Sequence, residues 1–219
     1  MGSEIDLLAA YPRTSRKVHQ RATERTAEDV RRARRFGRDF FDGDRRYGYG
    51  GYSYHPRFWQ PVVPAFVERY SLTPKSRVLD VGCGKGFFLY DLQLALPGIE
   101  VQGIDVSPYA IAHGKPEVRS RLAVADAAAL PFADSSFDLV VSITTVHNLE
   151  GESLDQSLSE IERVGRGQGF LTVDAWASEE ERQRIEGWAL TALTILHVDD
   201  WRDRFAKAGY SGDYYWFVP

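Results

Sequence analysis

Three acidic residues stand where predicted strands end, and their types and spacing indicate chemistry. Asp80 closes an apolar run, Asp105 closes the next, and Asp126 closes a third. After Asp80 the glycines alternate at 82–86, which lets the backbone approach a ligand without a Cβ atom in the way. A helix beginning near Phe87 would direct free N–H groups and its positive dipole end at the same place. Together these features predict a site for a small, nucleotide-like ligand.

The carboxylate of Asp80 narrows the class of ligand. Dinucleotide enzymes carry Gly-x-Gly-x-x-Gly after an apolar strand end, whereas this chain has Gly-x-Gly-x-Gly preceded by an acid. A carboxylate there would oppose a pyrophosphate and suit an amino or sulfonium cation, which disfavours a nicotinamide-dependent oxidoreductase. The eight-residue phosphate loop of NTPases is absent from the sequence. A purely structural alternative is that the acids at 105 and 126 cap the helices that follow them.

Alternating apolar runs and helical patterns from residue 77 onward would position these acids. The predicted strands span 77–81, 100–105, 121–126, 137–143 and 169–175. The predicted helices span 87–96, 107–114, 153–164, 178–192 and 199–208. This order predicts an α/β fold with a Rossmann-like, doubly wound, mostly parallel sheet that binds ligands beyond its carboxyl ends. A last run at 210–217 predicts one further strand, antiparallel, so that the C-terminal strand region is shortened.

We predict that residues 1–70 form an N-terminal helical cap, which belongs to the same domain as residues 71–219. We expect residues 1–25 to be loosely held. Thr26 and Asp29 predict a capping box for a helix that continues to Gly43, and a second helix is predicted over 58–70. Arginines cover one face of the first of these helices, as a solvated face or as a patch for phosphate or carboxylate: Arg31, Arg32, Arg34, Arg35 and Arg38.

The segment 47–56, here called the tyrosine loop, is too rich in glycine for a helix and too aromatic for an inert linker. Tyrosine rings offer apolar faces and a hydroxyl at modest entropic cost, which suits a lid over a ligand. The alternative is a loop that packs its rings on its own domain. Its predicted substrate-contacting residues are Tyr47, Tyr49, Tyr52 and Tyr54.

Composition excludes several classes of protein. The chain has 219 residues, 43% of them hydrophobic, and a formal net charge of −4, so that nucleic acid is not favoured as a partner. Its single cysteine, Cys83, excludes an intrachain disulfide framework, and we expect no bound metal. The sequence shows neither a secretion signal nor an apolar run long enough to cross a membrane, so we expect a cytoplasmic protein without membrane contact.

From Val78 to about Asp174 the sequence resembles the class I S-adenosylmethionine-dependent methyltransferases. The glycine motif of that family is present as Val78-Leu79-Asp80-Val81-Gly82-Cys83-Gly84-Lys85-Gly86, and its second acid as Asp105. Its third-strand motif is present as Asp126-Ala127-Ala128-Ala129-Leu130-Pro131-Phe132. The fourth strand, Ser136-Phe137-Asp138-Leu139-Val140-Val141-Ser142, matches the small-molecule branch that includes ubiquinone and sterol enzymes.

The resemblance implies S-adenosylmethionine as the cofactor, with Asp80 near its methionine moiety, Asp105 on its ribose, and Asp126 with Ala127 on its adenine. The full predicted cofactor set is Asp80, Gly82, Cys83, Gly84, Gly86, Asp105, Val106, Asp126, Ala127 and Ile143. The family usually closes its sheet with an antiparallel strand pair, yet only about ten residues follow Gly209. An open edge could pair with a second chain, so a homodimer through that edge or the N-terminal segment is a further hypothesis.

The acceptor would lie at the end of the fourth strand, where His147 is a candidate general base. The alternative for His147 is packing against the cofactor, and His55 is a second candidate base. Asn148 and Trp176 would contact the substrate. We expect transfer to an O or N atom of a small metabolite such as a natural product, a sugar or a cofactor-type molecule. The alternatives are a catalytically silent binding or regulatory protein, or an RNA or protein methyltransferase.

Overall fold

A parallel β-sheet forms the centre of the structure, a computed structural model that describes residues 2–13 and 17–219. The strand order is β3-β2-β1-β4-β5, and every pair is parallel. On the far edge of β5, β7 pairs with residues 170–174 and the two-residue β6 pairs with residues 175–176. The strands are β1 (Arg77–Val81), β2 (Glu100–Asp105), β3 (Leu122–Val124), β4 (Leu139–Ile143), β5 (Gly169–Trp176), β6 (Leu196–His197) and β7 (Asp213–Phe217).

Successive residues of the central strands enter two different cores, one on each face of the sheet. Val78 packs with Phe66 and Phe88 on one face, whereas Leu79 packs with Trp201 on the other. This alternation follows from the two-residue period of a strand, and burial on both faces explains why these strands read as continuous apolar runs. The doubly wound α/β fold is thereby confirmed.

Ten helices flank the sheet within the described residues. They are α1 (Val18–Glu24), α2 (Ala27–Ala33), α3 (Arg38–Asp42), α4 (Pro56–Trp59), α5 (Val63–Arg69), α6 (Phe87–Ala95), α7 (Pro108–Ala112), α8 (Gly151–Val164), α9 (Glu179–Trp188) and α10 (Val198–Ala208). None of them is long and apolar enough to span a membrane.

The sequence predicts two long cap helices, and the predicted extents are wrong because each helix is broken. The Thr26–Asp29 capping box is confirmed, but α2 ends at Ala33 and the chain turns through Phe36, at φ 47°, before α3. The second helix is interrupted over residues 60–62, where Pro61 offers no N–H group to an α-helical ladder. The breaks fold the cap back over the sheet.

The last strand is parallel, so the prediction of an antiparallel strand over 210–217 is wrong. After β5 the chain passes through α9, β6 and α10, and α10 ends at Gly209 in the left-handed conformation at φ 75°. A helix between two strands returns the chain to the end of the sheet where the first strand began. The next strand therefore runs parallel to the first, as in any β-α-β unit. β7 then pairs with β5 over five consecutive residues, from Phe170↔Asp213 to Asp174↔Phe217.

The outer edge of β7 is covered at one end by the start of the chain. Ile5 N donates to Tyr214 O at 3.0 Å, Tyr214 N donates to Ser3 O at 3.1 Å, and Leu7 is buried in the core. The prediction that residues 1–25 are loosely held is therefore wrong for residues 2–13, and Val18–Glu24 is helical; residues 1 and 14–16 lie outside the described part. The homodimer stays a prediction.

Candidate active site

The glycine loop, residues 82–86, connects β1 to α6 at the carboxyl edge of the sheet. Gly82, Gly84 and Gly86 all have positive φ, at 85°, 54° and 74°. A Cβ atom at Gly82 would also clash with the side chain of Thr145. The loop therefore depends on glycine both for its conformation and for its close packing.

Asp105, the last residue of β2, closes one side of this loop. Its Oδ2 accepts a hydrogen bond from Gly84 N and its Oδ1 accepts one from Ser107 N, both at 2.8 Å. Burial raises the pKa of Asp105, while these two backbone hydrogen bonds act in the opposite direction. Each carboxylate oxygen has a second lone pair, so the side chain can still accept hydrogen bonds from two ribose hydroxyls.

Asp80 is buried beside the glycine loop and Asp105, and it has no hydrogen-bond partner among the described residues. It is 5% exposed. Burial, with a further contribution from the charge of Asp105, raises its pKa to about 8. A buried carboxyl without a partner is costly, and a cation next to it would favour its charged form. The carboxyl group of Asp80 at this loop thus fits the ammonium and sulfonium groups of S-adenosylmethionine.

The other predicted cofactor residues lie along the same edge. Asp126 is exposed beyond the end of β3, which is shorter than predicted, and its Oδ1 accepts a hydrogen bond from Ala128 N at 2.9 Å. Val106 follows Asp105 and is 58% exposed, and Ile143 ends β4. Cys83 is buried, and burial raises its pKa. Their contacts with a cofactor, and that of Ala127, stay predictions.

Residues of α3 and the tyrosine loop cover the glycine loop. A Cβ atom at Gly84 would lie 3.2 Å from the Tyr52 ring and 3.6 Å from that of Phe41. Lys85 Nζ donates to both oxygens of Asp42, at 2.9 and 2.7 Å, and to Tyr52 O at 2.7 Å. The cap is therefore tied to the glycine loop by an ion pair in which the lysine is buried.

The carboxylate of Asp42 accepts hydrogen bonds from two further groups. Tyr109 Oη donates to Asp42 Oδ2 at 2.7 Å, and Tyr52 N donates to Asp42 Oδ1 at 3.0 Å. Burial of Asp42 raises its pKa, but the hydrogen bonds from Lys85, Tyr52 and Tyr109 outweigh burial and leave the pKa below its usual value. Sequence reasoning missed this cluster, although a lysine between two loop glycines was a visible signal.

The four tyrosines of the loop occupy different environments. Tyr54 Oη donates to Asp91 Oδ1 on α6 at 2.6 Å, and burial together with this bond raises the tyrosine pKa to about 12. Tyr49 packs 4.4 Å from Tyr52, centroid to centroid, and Tyr47 lies against two arginine side chains. Both a lid and a loop packed on its own domain are compatible with these contacts.

His147 lies in a buried 3-10 turn, Val146–Asn148, directly after β4. Its Nδ1 accepts a hydrogen bond from Asp174 N at 2.9 Å and lies 3.4 Å from Asp174 Oδ1. Burial lowers the pKa of His147, while the charge of Asp174 opposes that shift. Because Nδ1 accepts, the neutral ring carries its proton on Nε2, which makes it a hydrogen-bond donor in this state.

The remaining candidates lie at separate positions. His55 is exposed and caps α4, with Nδ1 accepting from Arg57 N at 3.2 Å. Trp176 ends β5 and packs its ring 4.8 Å from that of His197, which caps α10 as an N-cap residue. Asn148 Oδ1 is buried and has no hydrogen-bond partner in the described part of the chain. The roles of these residues in catalysis or substrate binding stay predictions.

Comparison with known proteins agrees with this geometry. Residues 79–173, which run from within β1 to within β5 and include the glycine loop, match a family model described as a methyltransferase domain. The matched region covers less than half of the chain, and it agrees with the resemblance to methyltransferases. The match supports S-adenosylmethionine as the cofactor that the resemblance implies.

Relatives of the methyltransferase domain differ in their acceptors. A tRNA (carboxymethyluridine(34)-5-O)-methyltransferase from Arabidopsis thaliana is 33% identical over 64% of this chain and 33% of its own length. A 2-methyl-6-phytyl-1,4-hydroquinone methyltransferase from Synechocystis sp. is 35% identical over 60% of this chain and 42% of its own. The chain therefore spans a third to just under half of these relatives.

The fold also matches that of solved structures. The YcgJ protein from Bacillus subtilis superposes with a TM-score of 0.53 at 19% identity, covering 67% of this chain and 66% of its own. At that identity the likeness concerns the fold alone, and it agrees with the parallel sheet described above.

Proposed function

We propose that this protein transfers a methyl group from S-adenosylmethionine to an O or N atom of a small metabolite. The observation that carries the proposal is Asp80, a buried carboxyl beside the glycine loop and Asp105 that has no hydrogen-bond partner among the described residues. A cationic ligand would supply the missing partner. The hydroquinone methyltransferase among the relatives supports a small acceptor.

In this proposal the carboxyl edge holds the cofactor and the cap encloses it. Asp105 binds the ribose hydroxyls, Asp126 and Ala127 bind the adenine, and Asp80 faces the cationic end. When bound, S-adenosylmethionine supplies an electrophilic methyl group for an in-line displacement. The protein's own contribution is to align the acceptor with that methyl group and to exclude water through Tyr52 and its neighbours.

Proton removal from the acceptor is a separate question. His147 would donate a hydrogen bond through Nε2 in its neutral state, which favours a role in orienting a group over that of a general base. Asn148 Oδ1 is buried and has no hydrogen-bond partner in the part of the chain that the structure describes, so it could accept one from an acceptor hydroxyl or amine once the turn at 146–148 adjusts.

The test is calorimetric titration with S-adenosylhomocysteine, followed by the same titration on Asp105→Asn and Asp105→Ala. We expect micromolar binding by the wild-type protein and a loss of about tenfold or more in affinity for each variant, because a charge-assisted hydrogen bond to the ribose is removed. Asp134→Asn, at an exposed acid whose side chain keeps 78% of its surface, is the matched control. Absence of binding by the wild-type protein would refute the proposal.

A catalytically silent protein of the same fold is the main alternative. It would bind S-adenosylhomocysteine as well, so binding alone does not separate the two. Release of S-adenosylhomocysteine from labelled S-adenosylmethionine in the presence of a metabolite extract would support the enzyme, and its absence across extracts would favour the silent alternative.

One observation favours RNA as a second class of acceptor. Residues 17–46 contain ten lysines and arginines against six acidic residues, although the whole chain carries a net charge of −4. The tRNA methyltransferase among the relatives points in the same direction. RNA binding through this segment should weaken steeply with salt, and Arg35→Gln with Arg38→Gln should reduce the slope. Salt-independent or absent binding would exclude this candidate.

A further inference from the structure

A groove of about 360 Å³ separates α2 from the segment 189–195 that follows α9. This volume falls within the range of small-molecule sites, at its lower end. We call it the α2 groove, and its principal lining residues are Arg25, Val30, Arg34, Glu186, Leu190 and Ile195. The carboxylate of Glu186 is paired with Arg182 at 2.9 Å.

Two arginines on one wall of the α2 groove lack acidic partners. Among the described residues, no carboxylate lies within 4 Å of the guanidinium of Arg25 or Arg34. Arg34 Nη2 donates to Ala192 O at 3.3 Å, while Arg25 donates to the carbonyls of Glu186, at 3.1 Å, and Ala189. A guanidinium has five N–H donors, so each arginine retains donors and its full positive charge.

The arginines within α2 pair with an acid, whereas Arg25 and Arg34, which flank this helix, do not among the described residues. Arg31 and Arg32 both pair with Glu28, on a different face of the helix. The unpaired charges of Arg25 and Arg34 therefore face the groove, next to the aliphatic side chains of Val30 and Leu190. An anion attached to an apolar body matches this combination of cationic wall and apolar lining.

Hydrogen bonds link both walls of the α2 groove to segments beside the proposed cofactor site. Its 189–195 wall is anchored to the turn after β4, because Leu193 N and Thr194 N both donate to His147 O at 3.0 Å. Thr194 Oγ1 donates to Leu149 O at 2.7 Å in the same turn. The α2 wall leads into the turn where Phe36 O accepts a hydrogen bond from the Ser107 hydroxyl, beside Asp105. Both walls thus connect to residues of the carboxyl edge.

We infer that the α2 groove binds the anionic end of the methyl acceptor, and that the acceptor is an amphipathic small molecule with a carboxylate or phosphate group. This inference rests on the proposed methyltransferase function. Arg34 is the specificity-determining residue, assisted by Arg25, which also holds the carboxyl end of α9 through its carbonyl bonds.

The experiment compares three probes of equal chain length on protein saturated with S-adenosylhomocysteine: octanoate, octyl phosphate and octanamide. Calorimetry should show that at least one anion binds and that the neutral amide binds about tenfold more weakly. A preference between octanoate and octyl phosphate identifies the anion as a carboxylate or a phosphate. Equal affinity for the anions and the amide, or no binding of either anion, would overturn the inference.

Arg34→Gln and Arg35→Gln form a matched pair, because both residues are exposed near the end of α2 but only Arg34 lines the groove. We expect Arg34→Gln to lose about tenfold or more in anion affinity with the amide unaffected, and Arg35→Gln to match the wild type. Equal effects of the two variants would contradict a groove site and indicate general electrostatic attraction.

The same samples separate this inference from the proposed function. Binding of S-adenosylhomocysteine to the wild-type protein and to Arg34→Gln should be equal, since the side-chain hydrogen bond of Arg34 within the described chain goes to Ala192 O, away from the glycine loop. Failure of that binding in the wild-type protein would refute the cofactor site, whereas intact cofactor binding without anion selectivity would refute only the groove.

Discussion

Asp80 is the residue whose environment most clearly calls for a ligand. With a pKa of about 8, its carboxyl is mostly protonated at pH 7 in the free protein. Because the folded pKa is raised above the ordinary value near 4, this group favours folding at low pH, and that contribution is lost as the pH rises through about 8. An ammonium group placed beside the carboxyl reverses the preference and favours ionisation.

We therefore predict that S-adenosylhomocysteine binding at pH 7 releases close to one proton from Asp80. Calorimetry in buffers with different ionisation enthalpies measures this release directly, and it should disappear above about pH 9. Asp80→Asn should bind more weakly and release no proton. Equal proton release by the wild type and this variant would show that another group titrates.

The acids at the strand ends were predictable because each follows a short apolar run that no other pattern explains. The order of the longer strands and helices from residue 77 to residue 208 was likewise predictable, since buried parallel strands and amphipathic helices have distinct periods, but the two-residue β6 was not predicted. The partner of Lys85 was not: Asp42 lies 43 residues away. Nothing local in the sequence announces a contact between a glycine loop and a cap helix.

At the scale of elements, the Asp42–Lys85 pair fastens the cap to the glycine loop. Lys85→Met should reduce the free energy of unfolding by about 1–3 kcal/mol, less than for a fully buried pair because the Asp42 side chain keeps 27% of its surface exposed. Urea denaturation measures the loss. Lys115→Met, at a lysine whose partner Glu117 is 51% exposed, is the control and should cost less.

The double variant Asp42→Asn with Lys85→Met decides whether the loss comes from an uncompensated buried charge. Removing both charges should restore part of the stability, so that the two single losses exceed the loss in the double variant. Strict additivity would mean that the two side chains do not interact and that other contacts hold the cap.

The cap itself resisted prediction for a physical reason. The pattern over 26–43 is helical at nearly every position, yet the helix breaks at Phe36 so that its carbonyl can meet the Ser107 hydroxyl. Tertiary contact thus overrides local preference, which is a weak determinant in short helices. The tyrosine loop has no periodicity, and its rings take positions set by Phe41 and Phe87.

At the scale of the whole molecule, one edge of the sheet is formed by the last strand and partly covered by the N-terminal segment. β7 lies parallel to β5, and residues 3–5 cover part of its outer edge while Leu7 enters the core. The orientation of β7 depends on α10 crossing the sheet, which a run of apolar residues at 210–217 does not reveal. An exposed edge would invite pairing with another chain, and the N-terminal segment shields part of this edge from such pairing.

Leu7→Ala should therefore lower the free energy of unfolding by about 2–4 kcal/mol, as expected for a buried leucine that leaves a cavity. Urea denaturation is the measurement, and Leu94→Ala, at a leucine that is 51% exposed, should cost under about 0.5 kcal/mol. Equal effects of the two substitutions would mean that the N-terminal segment does not dock on the sheet in solution.

The central claim is that the carboxyl edge of this sheet, under the cap, binds S-adenosylmethionine through acids at successive strand ends. A crystal structure of the complex with S-adenosylhomocysteine tests it most directly. We predict both ribose hydroxyls within hydrogen-bond distance of Asp105 and the ammonium group beside Asp80, with Tyr52 covering the ligand. Ligand bound elsewhere, or bound without contact to Asp105 and Asp80, would contradict the account.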